Sequence, residues 1–106
     1  MRVLFDQGVP APLVKLLPSH EVVTAYEAGW AALKNGELLG EAEGAGFDVF
    51  VTTDQNLRYQ QNLMARKISI VVLTTTRWPR IRKHAEAIED AIATAGQGSY
   101  LEVTVP

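Results

Sequence analysis

Three short runs of apolar residues constrain the fold of this chain most strongly. They occupy residues 1–5, 47–53 and 68–73, and each is bounded by turn-forming or polar residues. Runs this short and this apolar are typical of strands that are buried on both faces of a parallel sheet. Because segments with helical features separate them, the pattern predicts that strands and helices alternate along the chain.

The intervening segments complete this alternation. They predict helices over residues 11–17, 35–45, 57–65 and 79–95, and further strands over residues 20–25 and 100–105. Asn35 is the expected N-cap of the second helix, and residues 26–34 form a turn or a ragged helix. The last helix would turn one apolar stripe inward: Ile81, Ala85, Ile88, Ala91 and Ile92. The predicted fold is a three-layer α/β/α sandwich around a mostly parallel sheet, as a single domain over residues 1–106.

Composition narrows the function classes. Without cysteine the chain forms no disulfide and no thiolate metal site. We find no signal peptide and no apolar segment of about 18 residues, so we expect a cytoplasmic protein that does not enter a membrane. The net charge of −2 argues against a protein that coats nucleic acid. A basic cluster is either a solvated helix face or a phosphate-binding edge: Arg77, Arg80, Arg82, Lys83 and His84.

Two aspartates stand at the ends of predicted strands. Asp6 ends the first strand, and Asp54 follows the strand over residues 47–53. In a parallel sheet both would emerge at the carboxyl edge, where ligands bind. Neighbouring carboxylates repel each other, and a hard divalent cation such as Mg²⁺ relieves the repulsion and suits phosphodiester hydrolysis. The alternative for each aspartate is a helix cap or a turn.

The segments MRVLFDQGVP, KNGELLGEA and FDVFVTTDQNL, in this order, resemble the PIN-domain-like family, and more closely its small bacterial members that act as toxins of toxin–antitoxin pairs. The resemblance covers residues 1–73. It implies an endoribonuclease that depends on Mg²⁺ or Mn²⁺, with Asp6, Glu37 and Asp54 as catalytic residues and metal ligands and Asn56 as a further ligand. It also implies single-stranded or structured RNA as substrate, a cognate antitoxin and a homodimer. Glu37 has a second explanation, because the helix dipole favours an acid there.

Departures from the family pattern keep alternatives open. Gln7, Asn35 and Asn56 are amides at positions where family members often carry acids. A PIN-like fold that has lost catalysis and binds protein or RNA is therefore the main alternative. A phospho-acceptor similar to receiver domains is a third, although the paired acids and the lysine of such a site are missing. Arg58, Thr74 and Arg77 are the candidate substrate contacts, with surface solvation as the alternative for both arginines. Trp30 and Trp78 are expected to pack in the core rather than stack on bases.

Overall fold

One parallel sheet organises the fold. The computed structural model describes residues 1–57 and 66–106. Within them five strands pair in the order β2-β1-β3-β4-β5, and every pairing is parallel. The strands are β1 (Arg2–Phe5), β2 (Glu21–Thr24), β3 (Val49–Thr52), β4 (Ser69–Leu73) and β5 (Tyr100–Val103). Each predicted strand is confirmed, and its ends coincide with the predicted bounds or lie one or two residues inside them.

The segment between β1 and β2 is a 3₁₀ helix, Ala11–Leu16, and not the α-helix predicted over residues 11–17. Its hydrogen bonds span three residues: the Leu13 N–H donates to the Pro10 carbonyl, and the Leu17 N–H to the Val14 carbonyl. Proline supplies the extended residue before this helix and lies in its first turn. Since Pro18 also follows closely, the segment is too short to establish a ladder of α-helical bonds.

Helix α1 (Asn35–Gly44) connects β2 to β3. Its N-cap is Lys34, and Asn35 is already its first helical residue. The prediction of Asn35 as N-cap is therefore wrong. Glu37 lies in the first turn, as expected. Most of the helix predicted over residues 57–65 falls outside the described residues, although Leu57 is buried as predicted.

The single helix predicted over residues 79–95 is also wrong. The structure has two helices there, α2 (Trp78–Lys83) and α3 (Ala85–Thr94). His84 separates them with a ψ of 16°, and its N–H donates to the Ile81 carbonyl as in a tightened last turn. The inward stripe survives this break: Ile81, Ile88 and Ile92 are buried, while Ala85 and Ala91 pack against them.

Alternate residues of the central strands contribute to two hydrophobic clusters, as the pleat of a strand requires. Phe5 and Val51 belong to the cluster that also contains Leu13 and the buried isoleucines of α2 and α3. Leu4 and Phe50 belong to the other, with Leu38, Leu39 and Ala42 of α1. Trp78 and Trp30 are partly buried against these two clusters, as expected. In the described residues no helix is long and apolar enough to cross a bilayer.

Candidate functional site

Asp6 and Asp54 lie where the strand order reverses. The chain runs from β1 outward to β2 on one side, and then returns to β3 on the other side. The carboxyl ends of β1 and β3 therefore flank the crevice in which ligands of open α/β sheets bind. Asp6 directly follows β1, and its N–H donates to the carbonyl of Val51 in β3 at 3.0 Å. Asp54 follows β3 after one intervening residue.

The Asp6 carboxylate is fixed by its neighbours. It is 9% exposed. Thr52 donates its hydroxyl to Oδ2 of Asp6, and the Gly8 N–H donates to Oδ1 at 2.9 Å. The Thr52 hydroxyl in turn accepts the Asp54 N–H at 3.0 Å. One buried threonine thus connects the side chain of the first aspartate to the backbone of the second.

The pKa of Asp6 is raised. Burial is the main cause, and the charge of Asp54 raises the pKa further, while the hydrogen bonds from Thr52 and Gly8 lower it in part. Desolvation and a nearby like charge both disfavour the ionised carboxylate. A cation at this edge would favour the ionised form, and a buried acid perturbed in this way is a recognised mark of a functional site.

Gly8 allows the loop after β1 to approach β3. A Cβ atom at this position would overlap Oγ1 of Thr53 and lie 3.4 Å from Oδ1 of Asp6. The loop is also closed by the Val9 N–H, which donates to the Asp6 carbonyl at 3.2 Å. A larger residue here would therefore force the Thr53 side chain to move, and glycine avoids this clash. The sequence signal for it is a glycine two residues after an aspartate, which is typical of a turn built on the aspartate side chain.

Asp54 accepts a hydrogen bond within its own loop and also lies at the carboxyl edge of the sheet. Its Oδ1 accepts the Asn56 N–H at 3.0 Å, so the turn role considered for this aspartate is observed. A carboxylate has about four lone-pair sites, and this hydrogen bond therefore does not prevent Asp54 from binding a cation. Asn56 contributes its backbone to this contact, and its side chain is exposed.

Glu37 is exposed in the first turn of α1. Across residues 1–57 and 66–106, no three His, Cys, Asp or Glu side chains form a group that could hold a metal ion. The structure thus brings Asp6, Thr52 and Asp54 together without adding Glu37 as a third carboxylate. The role of Glu37 as a ligand stays a prediction.

The candidate substrate residues differ in their surroundings. The Thr74 hydroxyl accepts the Val105 N–H at 2.8 Å, and its carbonyl accepts a hydrogen bond from the Gln55 amide at 3.3 Å. Arg77 is exposed at the N-cap of α2, on the loop that follows β4. Arg58 lies outside the described residues. Among the described residues, Arg77 is therefore a cation that is both exposed and close to the carboxyl end of a strand.

Gln7 has a structural use that an acid could not fulfil. Its amide nitrogen donates to the carbonyl of Ala31 and so ties the loop after β1 to the segment before α1. An ionised glutamate has no proton to donate and would repel that carbonyl. One of the amides that depart from the PIN-like pattern therefore contributes a hydrogen bond to the loop beside Asp6.

Comparison with protein-family models, with curated proteins and with solved structures gives no match to this chain.

Proposed function

We propose that this protein is a metal-dependent endoribonuclease of PIN-like type. The observation that carries the proposal is the buried Asp6 carboxylate, which lies beside Asp54 at the point of the sheet edge where the strand order reverses. A carboxylate kept there against desolvation and like-charge repulsion is readily explained by a bound cation. The resemblance of residues 1–73 to PIN-like proteins supports the same reaction, and we extend it to the three-layer architecture of that family.

The donor set suits Mg²⁺ or Mn²⁺. Mg²⁺ is commonly bound through one or two carboxylates and keeps several waters, and Asp6 and Asp54 provide two such groups. The lone pairs of Asp6 that Thr52 and Gly8 leave free are available to a cation, and Asp54 adds a second carboxylate at the same edge. A divalent cation at this edge supplies charge stabilisation for phosphodiester hydrolysis. Glu37 and Asn56 are proposed as additional ligands on the family resemblance.

The chain's own residues prepare the edge for a phosphate. Thr52 and Gly8 hold the Asp6 side chain in one orientation, so little reorganisation is needed when a ligand arrives. Arg77 offers a guanidinium, which binds phosphate oxygens through two parallel hydrogen bonds. Together they would place an RNA phosphate between a fixed carboxylate pair and a cationic loop.

The biological setting is proposed from resemblance. We propose a cytoplasmic toxin whose activity a cognate antitoxin restrains, and which forms a homodimer. The experiment that bears on this setting is growth arrest when the chain is expressed alone in a bacterium, with Asp54→Asn as the inactive comparison. Unimpaired growth at equal expression of both forms would contradict the toxin role without affecting the proposed chemistry.

A catalytically degenerate binding module is the second candidate. The absence of a three-acid metal group from the described residues favours it. The phospho-acceptor has weaker support. The sheet order β2-β1-β3-β4-β5 occurs in flavodoxin-like folds that include response regulators, but the residue after β5 is Thr104 where such a site needs lysine.

RNA cleavage separates these candidates. The purified protein is incubated with several single-stranded RNAs and Mn²⁺, as wild type, Asp6→Asn, Asp54→Asn and the control Asp90→Asn, an exposed acid on α3. We expect Asp90→Asn to match wild type and both site variants to lose on the order of 100-fold in rate, the scale of removing one group that stabilises transition-state charge. Equal cleavage by all four proteins would contradict the site. No cleavage by wild type, with RNA still bound, would favour the binding module.

A further inference from the structure

A groove of about 700 Å³ opens beside Asp6, on the side of β1 that carries β2. Asp6 itself lines it, so the groove is continuous with the candidate site. Most of the remaining lining is apolar or aromatic, and its other polar members are Gln7, Lys15, Thr24 and Glu27. The apolar residues used in the argument are Val9, Pro10, Val14, Ala25 and Ala31.

Tyr26 is the aromatic member of this lining, and 81% of its surface is exposed. So large an exposed aromatic residue contributes little to the core, since burial is what makes an aromatic side chain stabilising. An exposed aromatic ring in the wall of a groove offers an open face to a ligand.

The turn that carries Tyr26 is held by several hydrogen bonds. Thr24 and Glu27 bond reciprocally: the Thr24 N–H donates to Glu27 Oε1 at 3.0 Å, and the Glu27 N–H donates to Thr24 Oγ1 at 3.1 Å. The Ala25 N–H donates to the Phe5 carbonyl at 2.8 Å, which anchors the turn to β1. The backbone under Tyr26 is therefore ordered before any ligand binds, which lowers the entropy lost on binding.

We propose that this groove is a nucleobase subsite, in which an unpaired base next to the cleaved phosphodiester stacks on Tyr26 between apolar walls. The proposal rests on the proposed function, because it takes the ligand of the Asp6 edge to be single-stranded RNA. A base is flat, largely uncharged and able to stack on any aromatic ring, which fits an apolar groove with one exposed tyrosine. Lys15 also lines the groove, and its ammonium is available to the phosphate of the same nucleotide.

The order of the β-strands in the sheet predicts the path of the bound RNA. The groove lies on the β2 side, the two aspartates at the ends of β1 and β3, and Arg77 after β4. An RNA strand that crosses the carboxyl edge along the sheet order would therefore meet the base subsite, the acids and the cationic loop in turn. The subsite receives a base on one side of the cleaved bond, and the arginine meets phosphates on the other side.

The test uses a uridine trinucleotide and the same molecule with one abasic position, titrated into the wild type, Tyr26→Ala and Tyr26→Phe in EDTA. Backbone amide chemical shifts report the site of binding. We expect shifts in residues 24–31, and about 5- to 100-fold weaker binding after Tyr26→Ala, the range that one stacked base contributes. Tyr26→Phe should bind within about twofold of wild type, and the abasic ligand should lose as much affinity as Tyr26→Ala. Because Tyr26 is exposed, all three proteins should share one melting temperature.

The outcomes also separate this proposal from the proposed function. Cleavage that is normal in Tyr26→Ala, with unchanged RNA affinity, overturns the subsite and leaves the nuclease standing. Base-dependent binding in the groove by a protein that cleaves no RNA supports the subsite and overturns the nuclease. No shift in residues 24–31 with either oligonucleotide overturns the subsite. If N-acetyl-tryptophanamide shifts residues 24–31 and neither oligonucleotide does, the subsite is also overturned, and the groove is a site for a protein side chain.

Discussion

The Asp6 carboxylate is held in place by hydrogen bonds, but its negative charge is unfavourable in this position. Its two oxygens accept hydrogen bonds from Thr52 and Gly8, yet burial and the charge of Asp54 raise its pKa. An amide of the same shape would carry no charge to desolvate. Residues that reduce stability in this way are characteristic of sites under functional demand, where activity and stability compete.

The ionised form of Asp6 should therefore reduce stability at neutral pH. Because its folded pKa lies above the ordinary value of 3.8, the wild type gains stability as the pH falls through the folded pKa, and loses that gain as the pH rises. Asp6→Asn removes this titration, but its amide nitrogen accepts no hydrogen bond, so one of the two contacts from Thr52 and Gly8 is lost at every pH. We therefore expect the melting temperature of Asp6→Asn in EDTA, relative to wild type, to be higher at pH 7 than at pH 3.5. A relative melting temperature that does not change with pH, or that falls from pH 3.5 to pH 7, would contradict the electrostatic assignment.

The close contact at Gly8 leads to a second prediction. In Gly8→Ala the new Cβ collides with Thr53 Oγ1, and overpacking of this kind destabilises proteins by about 1–3 kcal/mol. Gly44→Ala is the matched control, since nothing lies within 4 Å of a Cβ there and alanine favours the helical residue. Urea unfolding should show a loss for the first variant and no loss for the second. Adding Thr53→Ala to Gly8→Ala should recover part of the loss, and no recovery would place the strain elsewhere.

At the scale of elements, apolar runs were sufficient to predict the three buried strands β1, β3 and β4, because buried parallel strands contain few polar residues. The helices were harder to predict. The stripe Ile81, Ala85, Ile88 and Ile92 has continuous helical spacing, so it contains no signal for the break at His84. The 3₁₀ helix was missed for a different reason: the short stretch between prolines has the same apolar pattern in either helix type, and only the hydrogen bonds separate them.

Glu43 joins α1 to the segment that leads into β4. Its Oε2 accepts the N–H groups of Lys67 and Ile68 at 2.6 and 3.2 Å, and its Oε1 lies 3.4 Å from the Arg66 guanidinium. Its burial raises the pKa, but these hydrogen bonds outweigh that effect and the pKa is lowered. The carboxylate therefore stabilises the fold above the ordinary value of 4.5, and this contribution is lost as the pH falls through the folded pKa.

We expect Glu43→Ala to lower the free energy of unfolding by about 1 kcal/mol at pH 7, the low end for bonds to a charged group because solvent reaches this one. The deficit should narrow as the pH falls toward 3. Glu41→Ala, on an exposed position of the same helix, should stay within about 0.5 kcal/mol of wild type. Chemical denaturation at both pH values measures this, and equal losses in the two variants would contradict the role of Glu43.

At the scale of the whole molecule, the sequence predicted the shared edge of Asp6 and Asp54, because parallel strands align their carboxyl ends. It did not predict the link through Thr52, since a threonine in a strand is equally expected as a β-former. The groove at Tyr26 also could not be predicted from the sequence. Tyr26 follows β2, and its closeness to Asp6 depends on β2 pairing with β1, which the sequence does not specify.

The central claim is that Asp6 and Asp54 together bind a divalent cation. A calorimetric titration of Mn²⁺ into the wild type, Asp6→Asn, Asp54→Asn and the control Asp90→Asn tests it most directly. The account predicts saturable binding by the wild type and the control, and loss of at least about 10-fold in affinity in each site variant, as expected when an anionic ligand is removed from a cation with few protein ligands. Equal Mn²⁺ affinity in all four proteins, or no binding by the wild type, would contradict it.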